Sequence, residues 1–340
     1  MTNGPNVLAT SPVPLHDVHD LAMLDLDGVV YLGPDAIPGA AQALGAARAA
    51  GMRLAYLTNN ASRPATDVAA HLRDLGMPDL NDDEVVTSAQ AVAMLMADDL
   101  PAGSPVLLIG GPGLRVPLEE RGFRCVASLD DEPVAVVQGY HADLGWRDLA
   151  EASYAINTGL PWYASNTDLT IPTPRGVAPG NGALVQAVAT ATGRTPIVAG
   201  KPERALFDAT TARLGGERPL MVGDRLDTDI DGAICAGISS LVVLTGVSNL
   251  GEVFAASPGR RPDYVSADLS GLCEPHLAVE IDGAQARCGS STVSIDPAGR
   301  IDVTNGGPRA TATLRAAVAL AWTWADTSGS SATSGGTLDS

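Results

Sequence analysis

The chain has 340 residues, 45% of them hydrophobic, and a formal net charge of −18 at pH 7. This length indicates about two domains. The negative charge argues against a surface for nucleic acid or for an anionic membrane, so we predict neither partner. The four cysteines are scattered without a Cys-x-x-Cys pair, which favours a reducing, cytoplasmic setting.

The first and last parts of the chain carry no pattern typical of targeting or membrane spanning. Residues 1–20 have neither a basic start nor an apolar core, so we expect no signal peptide. The most apolar late stretch, residues 316–324, is too short to cross a bilayer. We predict that residues 1–17 form a flexible leader.

Strand-like and helix-like segments alternate along most of the chain, which is typical of a parallel α/β fold. Apolar runs predict strands at residues 21–24, 53–57, 85–86, 197–199, 220–222, 241–244 and 264–265. Residues 88–98 are predicted as a helix with Ser88 as its N-cap. Because a self-contained α/β unit separates the two halves of this pattern, we predict one sheet from residues 18–102 and 195–268, with residues 103–194 inserted.

The inserted unit and the C-terminal part have patterns of their own. Within the insertion, a polar loop is predicted up to Asn181-Gly182, and a helix from residue 183 to 192. Short strands and one helix predict a small α+β module over residues 271–325. Residues 327–340 are rich in Ser, Gly and Thr, and we predict a disordered tail there.

Two carboxylates follow the first predicted strand, in the run Asp25-Leu26-Asp27-Gly28. If residues 21–24 form a strand, Asp25 and Asp27 lie at its carboxyl end, where open α/β sheets build their sites. Their side chains then point to the same side and repel each other unless a cation or a proton intervenes. A surface turn with two aspartates is the alternative interpretation.

Three other predicted strands also end in polar residues. Thr58 and Asn59 follow the second strand, Lys201 follows residues 197–199, and Asp224 follows residues 220–222. Lys201 is the only lysine, beside twenty arginines, which suggests a need for a compact ammonium group. Together these strand ends supply carboxylates for a hard divalent cation such as Mg²⁺, and donors for a phosphate group.

Four motifs in this order resemble the haloacid dehalogenase superfamily. They are D-L-D-G-V-V-Y, L-T-N-N-A-S-R, G-K-P and G-D-R-L-D-T-D-I-D-G-A. The similarity covers about residues 18–268 and is to the NagD-like, 4-nitrophenylphosphatase-type branch, which includes glycerol-3-phosphate and phosphoglycolate phosphatases. The resemblance implies a Rossmann-like, doubly wound parallel-sheet core with a large inserted α/β cap and a small C-terminal α+β extension.

The resemblance also implies a role for each motif residue. Asp25 is expected to be the nucleophile, and Asp27 the general acid and base. Mg²⁺ is expected to be held by Asp25, Asp224 and the backbone carbonyl of Asp27. Asp229 is expected to orient a metal-bound water or Lys201; a helix N-cap is its alternative role.

The expected contacts with the phosphate group come from two further motifs. The residues implied to bind it are Thr58, Asn59, Asn60 and Lys201. Asn166 and Asp168 lie in the stretch of the cap that the family uses near its cleft, although both are also common in turns. Residues 271–325 weakly resemble a shortened acetyltransferase-like module, to which we give a regulatory, assembling or structural role.

The predicted function is that of a Mg²⁺-dependent phosphatase that acts on small phosphomonoesters through an aspartyl-phosphate. Family resemblance favours glycerol 3-phosphate as the substrate, ahead of 2-phosphoglycolate, pyridoxal phosphate or a nucleotide monophosphate. A phosphomutase and a phospho-ligand sensor without catalysis are the alternatives. A homo-oligomer formed through the cap or the C-terminal module is left open.

Overall fold

The computed structural model describes residues 7–77, 79–173 and 175–338. Its strands are β1 Ser11–Pro14, β2 Leu21–Asp25, β3 Tyr31–Leu32, β4 Asp35–Ala36, β5 Arg53–Thr58, β6 Val85–Thr87, β7 Pro105–Ile109, β8 Arg124–Val126, β9 Ala135–Gln138, β10 Trp162–Ala164, β11 Thr170–Thr173, β12 Gly176–Pro179, β13 Ile197–Val198, β14 Pro219–Gly223, β15 Ser239–Val243, β16 Tyr264–Ser266, β17 Pro275–His276, β18 Val279–Asp282, β19 Gln285–Cys288, β20 Ser291–Ile295, β21 Arg300–Asn305 and β22 Thr333–Ser334. Its α-helices are α1 Leu15–Val18, α2 Ala40–Ala49, α3 Ala65–Asp74, α4 Ser88–Asp99, α5 Pro112–Glu120, α6 Trp146–Asn157, α7 Asn181–Thr192, α8 Ala205–Leu214, α9 Asp231–Ala236, α10 Leu250–Phe254 and α11 Thr311–Ser328. None of the helices in the described ranges combines the length and the apolar character that crossing a bilayer requires.

The chain divides into two compact units. The first contains Met1–Leu54, Leu75–Pro78 and Gly216–Ser340, and the second contains Ala55–Asp74 and Asp79–Gly215. The second unit therefore contains more of the chain than the predicted insertion at residues 103–194. The reason is that α4, from the predicted core, packs against both α5 of the insertion and α8.

The parallel strands of the first unit follow one another in the order β16, β15, β14, β2. Residues 21–24 of β2 are fully buried, as expected of a strand that is covered on both faces of its sheet. The register pairs Val222 of β14 with Leu24 of β2. Both strands therefore end at the same edge, and the predicted α/β class with parallel sheets is confirmed.

The C-terminal residues form a second sheet in the first unit. It is antiparallel over β18, β19, β20 and β21, and β22 pairs with β21 in parallel. Trp322 of α11 and Ile301 of β21 belong to the same apolar cluster as Val242 of β15 and Phe254 of α10. Residues 271–325 thus share a hydrophobic core with the parallel sheet, which differs from the separate module predicted for them.

The predicted disordered tail at residues 327–340 is corrected by the structure. α11 continues into this segment, and Thr333–Ser334 form β22. Ala332 and Leu338 are buried in the apolar cluster just described. The Ser/Gly/Thr-rich composition hid these two apolar anchors, and residues 339–340 lie outside the described residues.

The predicted flexible leader is likewise corrected for residues 7–17. β1 pairs with β17 in antiparallel orientation, and Leu8 and Leu15 are buried. A partner strand from the far end of the chain cannot be inferred from local sequence pattern, which explains the difference. Residues 1–6 of the predicted leader lie outside the described part of the chain.

The second unit is built on a parallel sheet with the order β13, β10, β9, β7, β8. Its core joins Ile109 and Val136 of the sheet to Ile156 of α6 and Val185 of α7. β13 was predicted to belong to the sheet of the core. Instead it pairs with β10, because the short connection that follows α7 returns the chain to that edge.

Two further features of the second unit differ from the sequence prediction. The polar loop before α7 contains an antiparallel hairpin of β11 and β12, with Thr170 opposite Pro179; prolines are compatible with such an isolated ribbon. Thr87, rather than Ser88, caps α4, because the Thr87 hydroxyl accepts the Gln90 N–H at 3.2 Å. The unit also holds the parallel pair β5–β6.

A buried arginine ties the two ends of the first unit together. Arg315 of α11 is 1% exposed, and its guanidinium donates to the carbonyl oxygens of Ala9 at 2.7 Å and Leu277 at 3.0 Å. A buried cation is stable only with several well-placed acceptors. The N-terminal segment and the residues after β17 are therefore held by the same side chain.

His276 lies beside this arginine in its neutral form. Nε2 is 2.9 Å from the Gly271 carbonyl oxygen, and Nδ1 is 3.3 Å from Nη1 of Arg315. Nε2 therefore donates and Nδ1 accepts, so the ring carries one proton. Burial, together with the charges of Arg315 and His19, lowers the pKa of His276 to about 4.

We predict that acidification from pH 6.5 to about pH 5 lowers the free energy of unfolding by about 2 kcal/mol through His276. In the unfolded chain this imidazole binds a proton near pH 6.5, whereas in the folded protein it stays neutral down to about pH 4. Its contribution is therefore complete above pH 6.5 and is lost as the pH falls towards 4. Urea unfolding at a series of pH values measures the slope of the free energy of unfolding against pH. His276→Gln should show a shallower slope, and equal slopes in both proteins would contradict the prediction.

Candidate active site

Three carboxylates of the first unit converge at the shared edge of β2 and β14. Asp25 is the last residue of β2, Asp224 follows β14 directly, and Asp229 lies in the π-helical turn Leu226–Ile230. Each offers an oxygen within 4.8 Å of those of the other two. Asp25 is half-buried, whereas Asp224 and Asp229 are fully buried. Oxygen ligands at this spacing suit a hard divalent cation such as Mg²⁺.

Asp224 is held in place by backbone groups and by two glycines. Its Oδ2 accepts the Val247 N–H at 2.7 Å, and its carbonyl oxygen accepts the Ser248 N–H at 2.9 Å. A Cβ on Gly28 would lie 2.4 Å from Asp224 Oδ2, and a Cβ on Gly246 would lie 2.0 Å from it. The carboxylate therefore occupies a slot that only glycine leaves open on both sides.

Asp229 is fixed by the turn that follows β14. Asp229 Oδ2 accepts the Arg225 N–H at 3.1 Å. A Cβ built on Gly223 would lie 2.2 Å from the Cβ of Asp229. The Arg225 guanidinium forms two hydrogen bonds with Asp227, at 3.0 and 2.8 Å, and lowers the pKa of that carboxyl. The sequence predicts Asp229 beside the metal site in an orienting role, and the structure brings its carboxylate within 4.8 Å of those of Asp25 and Asp224.

Asp27 lies outside this group of carboxylates. Its side chain is exposed, and the residue forms a single bridge with Tyr31. The Gly28 N–H donates to the Tyr31 carbonyl oxygen at 2.8 Å, with Gly28 at φ +82°. This turn directs the chain away from β2 immediately after Asp27. The role of its backbone carbonyl as a metal ligand stays a prediction.

A second group of predicted residues comes together in the second unit. Asn59 bonds to the backbone of Lys201, while Asn166 and Asp168 bond to Asn59. Lys201 is 3% exposed. The residues that the sequence named separately, as two motifs and a stretch of the cap, are therefore direct neighbours within this unit.

Thr58 and Asn60 shape the turn after β5. The Thr58 hydroxyl accepts the Asn60 N–H at 3.1 Å. Asn60 Oδ1 accepts the N–H and the hydroxyl of Ser62, at 2.9 and 2.7 Å. The Asn60 side chain thus builds the turn, and its predicted contact with phosphate stays a prediction.

Sequence reasoning missed two polar residues of this group. The Ser88 hydroxyl donates to the Asn59 carbonyl oxygen at 2.6 Å, and Asn181 Nδ2 donates to the Asn166 carbonyl oxygen at 2.7 Å. Both are at the first position of a helix, where a side chain that faces inward meets a strand end. The Asn-Gly pair at residue 181 was a detectable signal, but the sequence prediction placed it in a loop.

Comparison with known proteins identifies the family. A model described as haloacid dehalogenase-like hydrolase matches residues 22–124, and a second, HAD-hydrolase-like model matches residues 198–272. The chain belongs to the haloacid dehalogenase-like hydrolase family, which confirms the resemblance of its motifs. The acetyltransferase-like resemblance of residues 271–325 stays a prediction.

Individual relatives cover most of the chain. A D-glycerol 3-phosphate phosphatase of Mycobacterium tuberculosis is 45% identical over 287 residues, which are 84% of this chain and 80% of the relative. An acid sugar phosphatase of Staphylococcus aureus is 36% identical over 250 residues, which are 73% of this chain and 94% of the relative.

Solved structures are also similar to this chain over most of its length. A glycerol phosphate phosphatase from Mycobacterium tuberculosis in complex with magnesium has a TM-score of 0.81 and 41% identity, covering 91% of this chain and 92% of that one. A 4-nitrophenylphosphatase from Thermotoga maritima has a TM-score of 0.71 and 32% identity, covering 76% and 98%.

We predict that Gly28→Ala weakens Mg²⁺ binding by about 10–100-fold, because the new Cβ displaces the Asp224 carboxylate from its slot. Calorimetric titration with Mg²⁺ measures the loss. Gly39→Ala is the matched control: Gly39 has φ +83°, close to the +82° of Gly28, and no heavy atom lies within 4 Å of a Cβ built there. Both variants place a Cβ on a residue with nearly the same positive φ. Equal Mg²⁺ affinities of the two variants would show that Mg²⁺ binding does not depend on the space around the Asp224 carboxylate.

Proposed function

We propose that the chain is a Mg²⁺-dependent phosphatase of small phosphomonoesters, with glycerol 3-phosphate as its main substrate. The observation that carries the proposal is the convergence of Asp25, Asp224 and Asp229, whose oxygens lie within 4.8 Å of one another. The relatives named glycerol 3-phosphate phosphatase and acid sugar phosphatase support the choice of substrate class.

Asp25 acts as the nucleophile in the proposed reaction. Its carboxylate oxygen attacks phosphorus, the bond between phosphorus and the ester oxygen breaks, and an aspartyl-phosphate forms. Dividing the hydrolysis in this way replaces one difficult step with two easier ones. When bound by Asp25, Asp224 and the carbonyl of Asp27, with Asp229 orienting this group, Mg²⁺ would neutralise charge on the phosphoryl group.

Asp27 moves the protons of both half-reactions. It donates a proton to the departing alkoxide, and then takes one from the water that attacks the aspartyl-phosphate. Inorganic phosphate leaves, and the carboxylate of Asp25 is restored. The exposed position of Asp27, two residues beyond the nucleophile, supports a role in which it exchanges protons with substrate and water.

The family's motifs assign the remaining contacts with phosphate to Thr58, Asn59, Asn60 and Lys201. Lys201 contributes positive charge, Thr58 and Asn60 contribute hydroxyl and amide donors, and Asn59 contributes its backbone N–H. Asn166 and Asp168 are proposed to act next to them. The sequence order of the family's motifs supports this assignment, as does the hydrogen bonding of Asn59 with Lys201.

The cellular setting is also part of the proposal. We place the enzyme in the cytoplasm, which the four free cysteines support because such thiols persist in a reducing compartment. A homo-oligomer formed through the cap or the C-terminal residues stays a prediction.

The proposal is tested by inorganic phosphate release with and without Mg²⁺, across glycerol 3-phosphate, 2-phosphoglycolate, pyridoxal phosphate and nucleotide monophosphates. We expect the highest kcat/KM for glycerol 3-phosphate, and no turnover after removal of Mg²⁺ with a chelator. Phosphate release that does not respond to Mg²⁺ would contradict the proposal. A different preferred metabolite would overturn the choice of substrate.

The same assay tests the role of Asp27. Asp27→Asn should lower kcat on glycerol 3-phosphate by about 10²–10⁴, and should lower kcat on 4-nitrophenyl phosphate far less, because 4-nitrophenolate leaves without a proton. Asp282→Asn, at an exposed carboxylate of β18, is the control and should change neither rate. Equal losses on both substrates would remove Asp27 from the role of general acid.

A further inference from the structure

Both ends of the Asn59 side chain bind the backbone of one residue. Oδ1 accepts the Lys201 N–H at 2.8 Å, and Nδ2 donates to the Lys201 carbonyl oxygen at 3.0 Å. Two residues opposite each other in a hydrogen-bonded pair of antiparallel strands exchange the same pair of bonds. Asn59 is 8% exposed and Lys201 3%, so both bonds are shielded from water.

The orientation of the Asn59 amide is fixed by a third bond. Nδ2 also donates to Asp168 Oδ1 at 3.1 Å. Both hydrogens of the amide nitrogen therefore meet acceptors, while the amide oxygen meets a donor. Rotating the amide by half a turn would set its oxygen against two other oxygens, which excludes the alternative orientation.

The backbone of Asn59 is anchored as firmly as its side chain. Its carbonyl oxygen accepts from the Ser88 hydroxyl at 2.6 Å and from Asn166 Nδ2 at 2.7 Å. The Asn166 carbonyl oxygen accepts in turn from Asn181 Nδ2 at 2.7 Å. The first residues of α4 and α7 thus hold Asn59 from two directions.

The approach of the Asn59 side chain to Lys201 depends on Gly200, the residue that directly precedes the lysine. A Cβ on Gly200 would lie 2.7 Å from Asn59 Oδ1 and 2.6 Å from the Ser165 carbonyl oxygen. The chain therefore has its one lysine directly after a glycine that lets an amide side chain reach the lysine's backbone.

We propose that Asn59 is a positioning residue for Lys201, and that its bond to Asp168 links residues 166–168 to the placement of the ammonium group. The inference rests on the proposed function, in which Lys201 binds the phosphoryl group. A lysine has a long, flexible side chain, so its ammonium is placed reproducibly only if its backbone is fixed. Misplacement of a reacting group by about 1 Å costs about a hundredfold in rate.

The test is a double-mutant cycle of Asn59→Ala and Lys201→Ala, read as kcat and KM on 4-nitrophenyl phosphate. We expect Asn59→Ala to lower kcat by about 10–100-fold, with a smaller change in KM. In the Lys201→Ala background the same change should cost less than about threefold, because coupled residues are not additive. Equal losses in both backgrounds would mean that Asn59 only supports the fold, and would overturn the inference.

A binding measurement and a substitute variant allow the double-mutant cycle to be completed if turnover or folding fails. The affinity for inorganic phosphate, measured by calorimetry in the same four proteins, closes the cycle even where turnover is too low to follow. Asn59→Ser replaces the alanine variant if that protein does not fold, since a hydroxyl keeps one polar contact in the site. Additive effects on phosphate binding would also overturn the inference.

Asn305→Ala is the matched control. Asn305 Nδ2 donates to the Ser290 carbonyl oxygen at 2.6 Å in the C-terminal sheet, so this variant also removes an amide bond to the backbone, and kcat should not change. A wild-type protein that releases no phosphate would refute the proposed function. An active wild type with additive losses would refute only the role of Asn59.

Discussion

The structure depends on holding three carboxylates closer together than their charges favour. Asp25, Asp224 and Asp229 present oxygens within 4.8 Å of one another, two of the three fully buried. Like charges at this spacing repel strongly when water is excluded, unless a cation lies among them. The fold imposes the spacing by pairing β2 with β14 in register. The backbone N–H groups of Val247 and Arg225 donate to the Asp224 and Asp229 carboxylates, and neighbouring glycines leave these carboxylates room.

The C-terminal residues support the parallel sheet that carries these carboxylates. α11 and the antiparallel strands share their apolar cluster with β15 and α10. Trp322 of α11 donates its Nε1 hydrogen to the Val253 carbonyl oxygen at 2.8 Å, and the Arg261 guanidinium lies 4.9 Å from the centre of its ring. The C-terminal segment is therefore part of the core of the first unit, and its apolar cluster also contains Ile230, the residue that follows Asp229.

The sequence predicts most accurately those features that depend on residues close together in the chain. The run at residues 21–24 indicates a buried strand, and the polar residues after β2, β5 and β14 indicate the strand ends. What the sequence does not show are contacts between distant segments of the chain: β1 with β17, β13 with β10, and Leu338 within the core. The bonds of Asn59 are of the same kind, because Lys201 is separated from it by more than a hundred residues.

The central claim is that Asp25 carries the phosphoryl group, and trapping the intermediate tests it most directly. The enzyme is mixed with Mg²⁺ and glycerol 3-phosphate, quenched in acid within the first turnover, and treated with borohydride, which reduces an acyl phosphate to an alcohol. Peptide mass spectrometry should then find homoserine in place of Asp25, and nowhere else in the chain. An active enzyme with unmodified Asp25 throughout the first turnover, or with the alcohol at another carboxylate, would contradict the account.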